Sequence, residues 1–199
     1  MTVIVVDPAS IKKYGALAVE QFTKISQRLQ NIVGAVITVH YFGTNAYEFK
    51  TKSGDMAVEY ATALHKDLKQ ISDAVRTATS QIAKSLGGQP ITLPASSGSG
   101  VKRPAVAKGD GTEEANTEAL EQLIPEVKKY FTAIDNLLDA HLKHLSDTKW
   151  EGNAKTAAVQ AVRKFTNEAK ATSNKAEQAI TKYIRAQVDA VTSADKTLG

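Results

Sequence analysis

The chain contains no cysteine, which excludes disulfides, thiol nucleophiles and thiolate metal sites. That absence suits the cytoplasm, or export in a form that needs no covalent staples. Aromatic residues make up only 6%, with Trp150 the single tryptophan, so Leu, Ile, Val and Ala must supply most of the core. Such a core suits a narrow seam between helices better than a thick globular centre. An excess of one charge is also missing: 25 basic and 21 acidic residues are mixed along the sequence, for a formal net charge of +4. This balance builds no concentrated positive field, so nucleic acid is not an expected partner. Long hydrophobic runs are lacking too. Val3–Val6 is ended by Asp7 and Pro8, and Val33–Val39 falls far short of the ~20 residues that span a bilayer. No basic leader or small-residue cleavage site accompanies the first run, so no signal peptide is expected. Secretion or display at the cell surface would need a leaderless route; the other expected location is the cytoplasm.

What the sequence does contain is helical periodicity. Ile11, Gly15, Ala18, Phe22, Ile25, Leu29, Ile32, Val36 and Val39 recur at steps of three and four, which places them on one helical stripe. Asp7-Pro8 supplies a cap and a first-turn proline. Val36–Phe42 also alternates like a strand, but the stripe continues without a phase break, so helix is expected. A second stripe runs through Ala57, Tyr60, Leu64, Leu68, Ile71, Val75, Ala78 and Ile82, with Gly54-Asp55 loosening its first turn. Gly87-Gly88 and Pro90 stop it. Residues 89–114 then have the Gly, Pro and Ser content of a flexible linker, and trypsin is expected to reach Lys102, Arg103 and Lys108 within it. A third stripe holds Leu120, Ile124, Val127, Phe131, Ile134, Leu138, Leu142 and Leu145. Pro125 should either kink that helix or mark its start. The fourth runs from Ala158 through Val162, Phe165, Ala169, Ile180 and Tyr183 to Ala194.

These stripes repeat at an offset of 109 residues. Phe22 falls on Phe131, Ile25 on Ile134, Leu29 on Leu138 and Val36 on Leu145. Stripe agreement alone is weak, because any two amphipathic helices can be slid into register. The turns agree as well: Tyr41-Phe42-Gly43 falls on Trp150-Glu151-Gly152. The expected organisation is an N-terminal arm (1–8), a first helical hairpin (9–88), the linker (89–114) and a second hairpin (115–199). One hairpin leaves an apolar stripe uncovered, so the fold class is all-α, two tandem antiparallel hairpins packed as an elongated four-helix bundle.

Trp150-Glu151-Gly152 between two long helices resembles the WXG100 family, small helical-hairpin substrates of type VII secretion systems. Residues 115–199 carry the resemblance in length, turn and stripe. Residues 9–88 carry it with Tyr41 in place of tryptophan. The family forms head-to-tail dimers exported folded, so the resemblance implies a tandem fusion that mimics such a dimer. It also implies a protein partner, such as a secretion-system component or a co-secreted protein. The family's export signal, a tyrosine with an acidic residue four positions on, is not reproduced. Tyr183 is followed by Gln187, and Asp195 is preceded by Val191.

The turn residues Tyr41, Gly43, Trp150 and Gly152 are therefore the candidate motif. Both glycines are read as turn residues needing an unusual backbone conformation. Both aromatics are expected at bundle tips and partly exposed, with Trp150 mainly structural. In the resemblance, the C-terminal segment would lie by the Tyr41 turn, and the Trp150 turn beside the N-terminal arm and the start of the linker. That makes Tyr41, Phe42, Val191 and Asp195 the candidate partner-recognition residues.

No catalytic residue is assigned and no cofactor is expected. His141 and His144 have ligand-pair spacing, but Asp139 and Asp147 complete no clear metal set, and His141 reads as a boundary residue. His40 and His65 are isolated, and Ser96–Gly100 follows no strand, so it is not a phosphate loop. The chain is expected not to be an enzyme or to take a small-molecule substrate. Two other readings stay open: a pore-forming or membrane-acting protein exposing Val3–Val6 or Val33–Phe42 to lipid, and a self-assembling scaffold.

Overall fold

The computed structural model describes residues 5–85, 101–103, 105–108, 111–112 and 114–198, without the side chains of Leu68, Ser72 and 195–198. The expected helix stop at Gly87–Pro90, the linker stretch 89–100 and the start of the Val3–Val6 run lie outside these residues. The fold is all-α. Its helices are α1 (Pro8–Thr38), α2 (Thr44–Ser85), α3 (Thr117–Ser146) and α4 (Asn153–Leu198), 31, 42, 30 and 46 residues long. Two-residue strands precede each helix: β1 (Val5–Val6), β2 (Tyr41–Phe42), β3 (Glu114–Ala115) and β4 (Trp150–Glu151).

Local chemistry sets the helix starts. Asp7 Oδ1 accepts the Ala9 amide at 3.0 Å, and Pro8 occupies the first helical position, where its missing N–H is harmless. Asn116 does the same for α3, accepting the Ala119 amide at 2.9 Å. Pro125 is thus neither the start of α3 nor near it; it lies on an exposed position inside the helix. Likewise α2 begins at Thr44, well before Ala57, the first position of its stripe, so Gly54-Asp55 lies inside the helix and not in its first turn. At the end of α1 the helix stops at Thr38, so the strand-like alternation of Val36–Phe42 is realised only at Tyr41–Phe42.

The 109-residue offset holds for the start of every element, from β1 to β3, α1 to α3, β2 to β4 and α2 to α4. Phe22 and Phe131, Ile25 and Ile134, and Leu29 and Leu138 are all buried. The register is less even elsewhere: Val33 is buried where Leu142 is half-exposed, and Ile180 is buried where Ile71 is not.

Backbone contacts divide the chain into two units. One draws on Met1–Ile25, Ala63–Ser99 and Asp135–Ala171, the other on Ser26–Thr62, Gly100–Ile134 and Thr172–Gly199. Each unit therefore takes helical segments from both sequence repeats, and the units are not the repeats. A helix of 31 residues is ~46 Å long, so its side chains meet only what lies beside them, whatever its place in the sequence. The first unit buries Ile11, Tyr14, Phe22, Leu145, Trp150 and Phe165; the second buries Leu29, Tyr41, Phe49, Tyr60, Phe131 and Ile184.

In the second unit, residues from the expected linker are fastened down. The Lys102 backbone exchanges two hydrogen bonds with the Gln30 side chain, at 3.0 and 3.1 Å, and Arg103 pairs with Asp55. The Lys108 ammonium lies 5.7 Å from the centre of the Tyr47 ring. The featureless composition of 101–108 hid these contacts, because each uses one side chain and no periodicity. The three tryptic positions are thus held against the unit.

Candidate functional site

Each turn is built the same way within its own unit. In the first, β1 pairs antiparallel with β4, Val6 opposite Trp150 and Val5 opposite Glu151. The Asp7 amide donates to Lys149 O at 2.9 Å, and the Lys149 amide donates to Ser10 Oγ at 2.8 Å. This places the Trp150 turn beside the segment preceding α1. In the second, β2 pairs with β3, Tyr41 opposite Ala115 and Phe42 opposite Glu114, and the Asn116 amide donates to His40 O at 3.0 Å.

The two aromatics are not partly exposed as expected. Tyr41 is 5% exposed and Trp150 is fully buried. The reason is the alternation of a strand, in which successive side chains point to opposite faces. In β2 and β4 the first residue points into the core and the second points out. Phe42 is 45% exposed and Glu151 is also at the surface. Of the four residues assigned to partner recognition, Phe42 therefore presents the surface and Tyr41 is core. Val191 is half-buried, and the Asp195 side chain is outside the described residues.

The glycines take over after the strands. Gly43 and Gly152 have φ of 110° and 117°, a left-handed region that a Cβ disfavours. Their carbonyls accept the first helical bonds of α2 and α4, from Tyr47 at 2.9 Å and Thr156 at 3.3 Å. Gly43→Ala and Gly152→Ala are each expected to lower stability by at least ~1 kcal/mol, read from denaturant midpoints. Unchanged midpoints would mean the turns relax without strain.

Around Tyr41 the second unit assembles an aromatic cluster. Its hydroxyl donates to Gln187 Oε1 at 3.2 Å, and its ring lies 6.0 Å from that of Phe49, which lies 5.5 Å from Tyr183. Tyr183 and Gln187 thus belong to the packing around the turn. Outside it, Phe42 is flanked by the His40 ring at 5.1 Å, edge to face, and by the Lys50 ammonium 4.9 Å above its centre. His40 Nε2 meets Glu114 Oε1 at 2.6 Å. Lys50 is largely buried, and that burial holds its ammonium below the ordinary lysine range. The result is an exposed aromatic ring with a cation on one side and a His–carboxylate pair on the other.

His40, Lys50 and Glu114 were not picked out from the sequence as parts of such a surface. Applying the 109-residue offset upstream of the helices would have paired Val5-Val6 with Glu114-Ala115, the segments that zip onto the turns.

His141 is not a boundary residue: it is 1% exposed, with its Nε2 2.9 Å from the Tyr14 hydroxyl. Among the described residues no group of three or more His, Asp or Glu side chains is placed to hold a metal ion. No helix among them is long and apolar enough to cross a membrane. No family model, curated protein or solved structure matches the chain.

Proposed function

We propose that this chain is a non-enzymatic protein-interaction module of the WXG100 kind, two helical hairpins in tandem, associated with or exported by type VII secretion. One observation carries the reading. The Trp150-Glu151-Gly152 turn between two long helices is matched 109 residues earlier by Tyr41-Phe42-Gly43, with the same buried aromatic and the same positive-φ glycine. Hairpins that pair as separate chains in the WXG100 family would here be joined covalently. Phe42 is the contact residue in this reading, since an exposed ring beside the exposed His40–Glu114 pair offers a partner one apolar anchor and one polar handle. The tyrosine signal of the family has no acidic member here, and Gln187 is engaged by Tyr41.

The test is export from a host with an intact type VII system and from one lacking its membrane ATPase. The chain should reach the medium only in the first. Equal amounts in both media would overturn the assignment. Phe42→Ser should reduce export or partner capture severalfold while shifting stability by no more than ~0.5 kcal/mol, as exposed substitutions do. Unchanged export by a folded Phe42→Ser variant would remove Phe42 from the contact surface. Leakage of lipid vesicles by the purified chain would instead favour the membrane-acting reading.

A further inference from the structure

The first unit buries a titratable pair where the second unit has hydrocarbon. Tyr14 and His141 face each other across α1 and α3, their rings stacked at 5.7 Å with 22° between planes, and Phe22 meets the same imidazole edge-on at 5.0 Å. By the 109-residue offset their counterparts in the second unit are Leu123 and Ile32, both buried and both apolar. Packing at this level of the fold therefore requires neither a hydroxyl nor an imidazole. The pair also leaves one polar atom unmatched, since His141 Nδ1 is buried with no hydrogen-bond partner among the described residues.

We propose that His141 and Tyr14 form an acid-sensitive latch, in which proton uptake by His141 loosens α1 from α3 in the first unit while the second unit, with Leu123 and Ile32, stays packed. The neutral ring has one N–H; the protonated ring has two. Nε2–H can donate to the Tyr14 oxygen, but Nδ1–H finds no acceptor among the described residues, and the ring's charge sits among Tyr14 and Phe22. Tyr14 also lines a cleft of about 630 Å³ with Ser10, Lys13, His144 and Asp147, so solvent comes within one side chain of the imidazole.

Burial, reinforced by His144 one turn away, pushes His141 down to about 4. Nearby charges on the other helices do not rescue its charged form. On α1 Glu20 is paired with Lys24 at 2.5 Å, and on α4 Lys170 is paired with Asp139 of α3 at 2.7 Å. On α3 itself Asp147 is held by Lys143 at 2.5 Å. On α2, His65 is also held below the ordinary histidine range by partial burial, and through its own titration it adds to the loss of stability as the pH falls. An ordinary histidine takes its proton near pH 6.5, so between about 6.5 and about 4 the open state binds the extra proton and the closed one does not. Stability is therefore full above this window and falls as the pH drops through it. Near pH 5 the closed form should be about 30-fold less favoured than near pH 7.5.

Hydrogen exchange of the whole chain at these two pH values reads the effect. Corrected for intrinsic rates, protection in 11–25 and 135–146 should fall about 30-fold at the lower pH, with 29–38 and 120–134 little changed. Equal loss in both units, or in neither, overturns the latch. The variant Tyr14→Leu/His141→Ile, which copies the second unit and leaves His65 in place, should lose most of the response; a full response in it overturns the assignment to this pair. Should that variant not fold, a proton NMR titration of His141 in the unaltered chain decides the matter. A midpoint below about 5.5 supports the latch, and any higher midpoint sinks it.

Discussion

Truncating Trp150 to alanine should lower stability by about 3–5 kcal/mol, because the indole is fully buried in the first unit and its removal leaves a large cavity. The variant Trp150→Phe sharpens the test. The indole N–H is buried with no hydrogen-bond partner among the described residues, so its polar atom adds nothing to the fold. Phenylalanine keeps most of the ring and discards the orphaned donor, so its loss should stay below about 1.5 kcal/mol. Denaturant melts of the three proteins check both expectations. A large loss for the phenylalanine variant would mean that Nε1 does have a partner, through water for instance. Tyr41 now falls in the same class. Tyr41→Ala should be strongly destabilising, and Tyr41→Phe, which keeps the ring and removes the hydroxyl that donates to Gln187, should lose about 1 kcal/mol.

Phe22→Ala and Phe131→Ala should each cost about 3–5 kcal/mol, and by similar amounts. Both side chains are among the most deeply buried of the described residues, and each packs against a ring, Phe22 on His141 and Phe131 on Tyr60. Midpoints from urea unfolding should shift together, within the spread that local relaxation allows. A silent substitution at either position would break the 109-residue register that equates them.

Much of the fold was legible because amphipathic helices advertise themselves. Three- and four-residue spacing is imposed by the helix alone, so Phe22, Ile25, Leu29, Phe131 and Ile134 could be assigned to the core from sequence. Asp7-Pro8 was readable as a start for the same reason: capping is chemistry between neighbours. Pro125 left two readings, a kink or a helix start, and the structure removes the second: a proline inside a helix costs stability without forbidding the helix, and α3 runs through it. The fixed contacts of Lys102 and Arg103 were invisible because their partners, Gln30 and Asp55, are 72 and 48 residues away.

The candidate site divides along the same line. The sequence by itself determined that two aromatic-x-Gly turns join long helices at equivalent positions, because the offset and the glycines are written in the residue order. Only the tertiary structure decided which face each turn residue occupies. A two-residue strand has no pattern to read, and its inside is defined by the segment that pairs with it, Val5–Val6 for Trp150 and Glu114–Ala115 for Tyr41. That pairing turned Tyr41 and Trp150 inward and left Phe42 outside. It was tertiary structure, too, that buried His141 against Tyr14, 127 residues away in sequence. Burial is a property of what surrounds a side chain, and no local spacing encodes it.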